Sequence, residues 1–169
     1  MLEFYRIMQK KIEKHQFEYF ISTNRNDFSD AEQRLIDETI QKAKSAYAPY
    51  SNFNVSSGIL LDDDTILSAT NVENASYPVG TCAERNVLSY CISNYPKNII
   101  QTIAVYAEKK IEKLILPITP CGMCRQALLE AENRQEKPIK LIMIGHNNQF
   151  LIVEKCVHLL PFAFDGSVL

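Results

Sequence analysis

No stretch of this 169-residue sequence approaches the roughly 18 consecutive apolar residues that a membrane span requires. Its opening, Met1 to Phe20, is broken by Glu3, Arg6, Lys10, Lys11, Glu13 and Lys14, so it lacks the apolar centre of a secretion signal. Charge of one sign is not in excess either: 18 Lys and Arg stand against 20 Asp and Glu, a net charge of −2. Non-specific nucleic-acid binding needs a basic surface, so nucleic acid is not an expected partner. There is no internal repeat and no low-complexity segment. The cysteines number five, an odd count that does not suit a disulfide framework. These absences lead us to expect a cytoplasmic protein with no membrane partner, in which clustered thiols serve as metal ligands or reactive groups.

Hydrophobic residues at 46% and charged residues at 22% are ordinary globular values. Ser29-Asp30-Ala31-Glu32 has the form of a capping box, and Leu35, Ile36, Ile40, Ala43 and Ala46 follow at helical spacing until Pro49. Phe53 to Leu61 and Thr65 to Thr70 read as a hairpin around three aspartates, and 71–81 as a loop with Pro78 and Gly80. Helices are expected over Cys82 to Ser93 and Cys121 to Ala131, and strands over Ile99 to Ala107, Ile139 to Ile144 and Phe150 to Val153. Leu114 to Ile118 is a further apolar run. Strands mixed with helices favour an α/β domain with helices on both faces of one sheet. The first 28 residues form an N-terminal extension to a domain over 29–169. Within the extension, Met1 to Lys14 could be a short helix, and Phe17, Tyr19 and Ile21 hint weakly at a strand.

Two segments carry the chemistry: Thr81-Cys82-Ala83-Glu84-Arg85 and Thr119-Pro120-Cys121-Gly122-Met123-Cys124-Arg125-Gln126. Each opens a predicted helix after a loop, where free N–H groups and the positive dipole end stabilise thiolate. Cys121 and Cys124, three apart, share a helical face. With Cys82 they offer three thiolates to one zinc ion, and three protein ligands with an open fourth position suit catalysis. Glu84, two residues past a ligand, can serve an activated water without binding metal. Three thiolates and Zn²⁺ sum to −1; Arg85 and Arg125 either offset that through bonds to sulfur or are plain surface arginines. Cys91, half a turn from Cys82 in angle, reads as core packing, as does Cys156. His15, His146 and His158 match no ligand position.

Together the two segments resemble the zinc nucleobase deaminases, which carry Cys-x-Glu followed by Pro-Cys-x-x-Cys. The resemblance extends to the small cytidine deaminases of pyrimidine salvage and covers roughly Leu35 to Phe164. Ala48-Pro49-Tyr50-Ser51-Asn52-Phe53-Asn54-Val55 is similar to that family's first loop and strand. Asn71-Val72-Glu73-Asn74-Ala75-Ser76-Tyr77-Pro78 is similar to its ribose-binding segment, and Leu159-Leu160-Pro161 with Phe164 to its C-terminal signature. The resemblance implies a three-layer α/β/α sandwich around a mixed sheet of about five strands. It implies hydrolysis of cytidine and deoxycytidine to uridine and deoxyuridine, with one Zn²⁺ per chain on Cys82, Cys121 and Cys124. Zinc-bound hydroxide would attack C4 while Glu84 shuttles protons. Ala83 would orient the pyrimidine, Phe53 would line the base pocket, and Asn71 and Glu73 would bind the ribose hydroxyls. Tyr77 and Phe164 would reach a neighbouring active site in a homotetramer. Two features depart from the family: Ser56-Ser57-Gly58 stands where small residues beginning with Gly are usual, and the arm before Ser29 is longer. Competing readings are a deaminase of a cytosine-bearing antibiotic, a polynucleotide cytosine deaminase, and a non-catalytic zinc-stabilised interaction module.

Overall fold

A computed structural model describes residues 12–109 and 116–168. The capping box forms as read: Ser29 and Glu32 satisfy each other's free backbone N–H groups and start helix α1, Asp30–Lys42. The helix tightens into a 3-10 turn at Ala43–Ser45, so it ends before Pro49 forces it to. Strands β2 (Phe53–Leu61) and β3 (Ile66–Thr70) form the expected hairpin, with Asp64 in the left-handed region at φ 65°. Then come α2 (Ala83–Asn94), β4 (Ile100–Lys109), α3 (Gly122–Gln135), β5 (Lys140–Ile144) and β6 (Phe150–Val153). The Leu114 to Ile118 run lies partly outside the described residues, and 116–118 are irregular.

The sheet is mixed and has six strands rather than about five. The extra strand, β1 (Phe20–Ser22), comes from the N-terminal arm and pairs antiparallel with β6. It covers backbone groups that β6 would otherwise leave unpaired at a sheet edge. Three residues are too few to show alternation, so its sequence signal was faint. Residues 1–11 of the expected Met1 to Lys14 helix lie outside the described residues, and 12–14 are irregular. Phe28, where the arm ends, is buried edge-on against Phe150, with ring centroids 4.8 Å apart.

Strand order is β1-β6-β5-β4-β2-β3, and β4 and β5 are parallel, joined by the crossover through α3. Alternation along the strands separates two apolar layers. Leu60, Ala104, Ile142 and Ile144 pack with Leu35 and Ile36 of α1. Ile59, Leu61, Ile103 and Leu141 pack with Val87, Leu88 and Cys91 of α2 and Leu128 of α3. The result is the three-layer sandwich, with α1 on one face and α2 and α3 on the other.

The Ser56-Ser57-Gly58 departure has a physical account. Both serines are fully buried, and their hydroxyls donate to carbonyl oxygens: Ser56 to Thr39 of α1 and Ser57 to Ala104 of β4, the latter at 2.9 Å. Gly58 lets α1 approach closely, since a Cβ there would fall on Thr39 Oγ1 and lie 2.8 Å from Leu35 Cδ1.

Glu132 of α3 fastens the C-terminal segment. Its buried carboxylate accepts the backbone N–H groups of Ile139 (2.8 Å), Cys156 (2.7 Å) and Val157 (2.9 Å). Glu132→Ala leaves three donors without partners at roughly 1–3 kcal/mol each, so we expect about 3 kcal/mol or more of lost stability. Urea unfolding of the variant measures this; a loss within about 0.5 kcal/mol, the range of an ordinary surface change, would contradict it. Among the described residues no helix is long and apolar enough to cross a membrane.

Candidate active site

The crossover that makes β4 and β5 parallel delivers the start of α3 beside the start of α2. Cys82 is the N-cap of α2, and Cys121 is the N-cap of α3. Cys124 sits one turn into α3 and is fully buried, while Cys82 is partly buried and Cys121 exposed. Their three Sγ atoms lie within 4.8 Å of one another, and Cys121 and Cys124 are 3.5 Å apart. Zinc–sulfur bonds of about 2.3 Å in tetrahedral geometry place sulfurs about 3.8 Å apart, so the donor set fits a zinc ion.

The thiols already differ in acidity. A hydrogen bond from Cys124 lowers Cys82 to about 6; burial and Glu84 oppose that, while Cys121 and the Arg85 charge assist it. Cys124 is raised correspondingly, first because its proton is shared with Cys82 and then by burial. Cys82 is therefore the ionised member of the pair. Cys91 and Cys156, both buried and apart from this cluster, have thiols pushed up by burial and serve the core as expected.

A cleft of about 580 Å³ opens beside the thiols, and Glu84, Ala83, Cys82 and Cys121 line its floor. Glu84 and Ala83 are buried in the first turn of α2. The walls include Phe53, Asn71, Glu73 and Tyr77, all named from sequence. The loop from Asn71 to Thr81 is pinned at both ends: Val72 and Thr81 exchange backbone hydrogen bonds at 3.0 Å, and Glu73 N donates to Tyr47 O. Asn86 of α2 reaches the carbonyl of Thr70 at 2.9 Å, fixing helix and loop together. The Asn71 side chain bridges to β2, its Nδ2 donating to Phe53 O at 3.0 Å and its Oδ1 accepting from Val55 N at 2.8 Å.

Two residues stand elsewhere than a single converging site would have them. Phe164 lies outside this cleft, exposed, with its carbonyl accepting from Gln126 Nε2 at 2.8 Å. Arg125 donates to Pro120 O (2.9 Å), Thr119 Oγ1 (3.2 Å) and Leu159 O (3.3 Å) rather than to sulfur. Oxygen acceptors surround its guanidinium, so it braces the loop before Cys121 and ties it to the C-terminal segment; a direct bond to a ligand thiol is not formed. Arg85 is partly buried, and its charge helps keep Cys82 ionised. Tyr50, Ser51, Val72, Asn74, Ile118 and Thr119 also line the cleft but were not singled out. All but Ile118 belong to the quoted motifs, and motif membership does not say which residues face inward.

A three-thiol centre at two helix starts, with a buried carboxylate beside it and a cleft leading in, defines a metal-dependent hydrolase on an α/β/α sandwich. Comparison with known proteins agrees. Residues 29–137 match the family model described as the cytidine and deoxycytidylate deaminase zinc-binding region. The chain is 41% identical over 135 residues to a cytidine deaminase of Halalkalibacterium halodurans, covering 80% of this chain and 95% of that one. It is 33% identical to a cytidine deaminase of Sporosarcina psychrophila, over 79% and 90% of the two chains. The crystal structure of cytidine deaminase from Burkholderia pseudomallei superposes with a TM-score of 0.66 at 31% identity, over 78% of this chain and 97% of that one. The chain belongs to the zinc-binding cytidine and deoxycytidylate deaminase family.

Proposed function

We propose that this chain hydrolyses cytidine and deoxycytidine to uridine and deoxyuridine, releasing ammonia, as a step of pyrimidine salvage. The observation that carries the reading is the convergence of three Sγ atoms within 4.8 Å at a cleft floor that also holds Glu84. Cys82, Cys121 and Cys124 would hold one zinc ion, which when bound would supply Lewis-acid activation of a water. Glu84 takes the proton of that water on its carboxylate as the oxygen attacks C4, and returns it to ring N3. It then carries the second proton to the departing C4 amine, so that water is consumed and ammonia leaves. The N–H of Ala83, at the free first turn of α2, orients the base, and Phe53 forms its wall. Asn71 and Glu73 bind the sugar hydroxyls. Each retains capacity for this: the Asn71 amide has one N–H and one lone pair beyond its bonds to β2.

The catalytic domain in this reading is 29–169, with 1–28 as an extension. Four identical copies assemble, and the exposed Phe164, which lies outside this chain's cleft, completes a neighbouring one, while Tyr77 stays in the wall of its own. Free thiols at a metal site suit the reducing cytoplasm. The test is the ultraviolet absorbance change when zinc-assayed protein meets cytidine, deoxycytidine, cytosine, cytidine monophosphate and a cytosine antibiotic. Loss of the cytidine and deoxycytidine signals alone is expected. Silence on both with one zinc per chain would overturn the substrate assignment.

A further inference from the structure

Ser51 stands between the residue placed against the base and the residue placed against the sugar. Its hydroxyl donates to Glu73 Oε1 and accepts from the backbone N–H of Phe53 at 3.0 Å. The other Glu73 oxygen, Oε2, accepts from Tyr50 N at 2.9 Å and Ser51 N at 3.3 Å. The turn that permits this runs through Asn52 in the left-handed region at φ 53°, a conformation Asn tolerates better than most residues. These bonds, the Ser51 hydroxyl first, hold the Glu73 carboxyl below its ordinary range, so it stays an acceptor at neutral pH.

A carboxylate offers about four lone-pair sites. Three are filled, and the one left is on Oε1, the oxygen that Ser51 grips. A sugar hydroxyl brings one donor and one acceptor. It matches that last Glu73 site together with the remaining Asn71 N–H. Which way the free lone pair points is decided by where the Ser51 hydroxyl sits. Ser51 in turn is fixed by Phe53 N, and Phe53 O by the Asn71 amide at 3.0 Å, which closes a ring of bonds around the cleft wall.

We propose that Ser51 is a positioning residue for sugar recognition: through its bridge from Phe53 N to Glu73 Oε1 it aims the Glu73 carboxylate at the nucleoside's sugar hydroxyl. The inference rests on the assignment of Asn71 and Glu73 to the sugar. Ser51 is exposed, and so is its bond from Phe53 N, so water can take up the N–H that Ser51→Ala leaves without its partner.

The test compares wild type, Ser51→Ala, Ser51→Thr, Glu73→Gln and the Ser51→Ala/Glu73→Gln double variant on deoxycytidine and 2′,3′-dideoxycytidine, which differ only in the 3′-hydroxyl. We expect Ser51→Ala to raise KM for deoxycytidine about tenfold with kcat within about threefold, the loss of one charge-assisted bond. The same change leaves kcat/KM for dideoxycytidine within about twofold, because that substrate has nothing for Glu73 to hold. Ser51→Thr, which keeps the hydroxyl, restores deoxycytidine, and Ser51→Ala adds nothing in the Glu73→Gln background. Equal losses on both substrates, or additive losses in the double variant, would assign Ser51 a general structural role and overturn the proposal. Wild type itself should favour deoxycytidine over dideoxycytidine by roughly a hundredfold. Equal handling by wild type would remove the sugar assignment, and the proposal with it, whatever the variants do.

Discussion

Glu84→Gln should give a folded, zinc-loaded protein whose kcat for cytidine is lower by about 10³–10⁴-fold, at the upper end of what general acid–base catalysis contributes. Glu84 lies in the first turn of α2 and lines the cleft with Ala83, Cys82 and Cys121. It is buried, and glutamine fills nearly the same volume, so the fold and the metal site have no reason to change. What is lost is the oxygen that accepts the water's proton and delivers it to N3 and then to the leaving amine. Steady-state kinetics, metal analysis and thermal unfolding on the same preparation read all three quantities. A Glu84→Gln enzyme within tenfold of wild type would show that another group moves the proton. A zinc-poor variant would show that Glu84 holds the site together.

Removal of one thiol has the second large effect. Cys124→Ala should lose its zinc and its turnover together, and its Tm should fall by on the order of 10 °C relative to the zinc-loaded parent, the stabilisation that saturating ligand gives a chain of this size. Cys124 is the buried member of the set and shares a proton with Cys82, so its loss removes a ligand and the hydrogen bond that keeps Cys82 ionised. Acid works in the same direction. Metal needs thiolate, and a thiol near 6 is ionised above that pH and protonated below it. Zinc uptake by chelator-treated protein should therefore weaken as pH falls through about 6 and release protons at neutral pH, that of Cys124 among them. Full zinc content and turnover in Cys124→Ala would place the metal elsewhere.

Features set by neighbours in sequence were legible before the fold was known. The Ser29–Glu32 capping box closes over four residues, and the helical spacing of Cys121 and Cys124 puts both sulfurs on one face. The placing of Cys91 in the core followed from its angle to Cys82 on one helix. Convergence of Cys82 with the other two came from the pairing of motifs, since nothing local shows that α2 and α3 start side by side.

What escaped was set by contacts distant in sequence or by elements too short for a pattern. Three residues made β1, and its partner β6 lies some 130 residues on. Arg125, beside a ligand, was open to a sulfur partner or a plain surface role, and instead three of its five donors go to oxygen acceptors, one of them Leu159 O from the C-terminal segment. The Ser56-Ser57-Gly58 departure gave no sign of how it packs until Thr39 and Ala104 supplied carbonyls for the two hydroxyls. The role of Ser51 depends on Glu73, 22 residues away, and no spacing rule joins them.

The most direct measurement is turnover of cytidine in ¹⁸O-labelled water by protein of measured zinc content, with the uridine weighed by mass spectrometry. Hydrolytic attack at C4 predicts one ¹⁸O in each uridine and one ammonia per turnover, in amounts that rise with zinc up to one ion per chain. Unlabelled uridine, or labelled uridine formed equally well without zinc, would contradict the assignment of this chemistry to the three-thiol site.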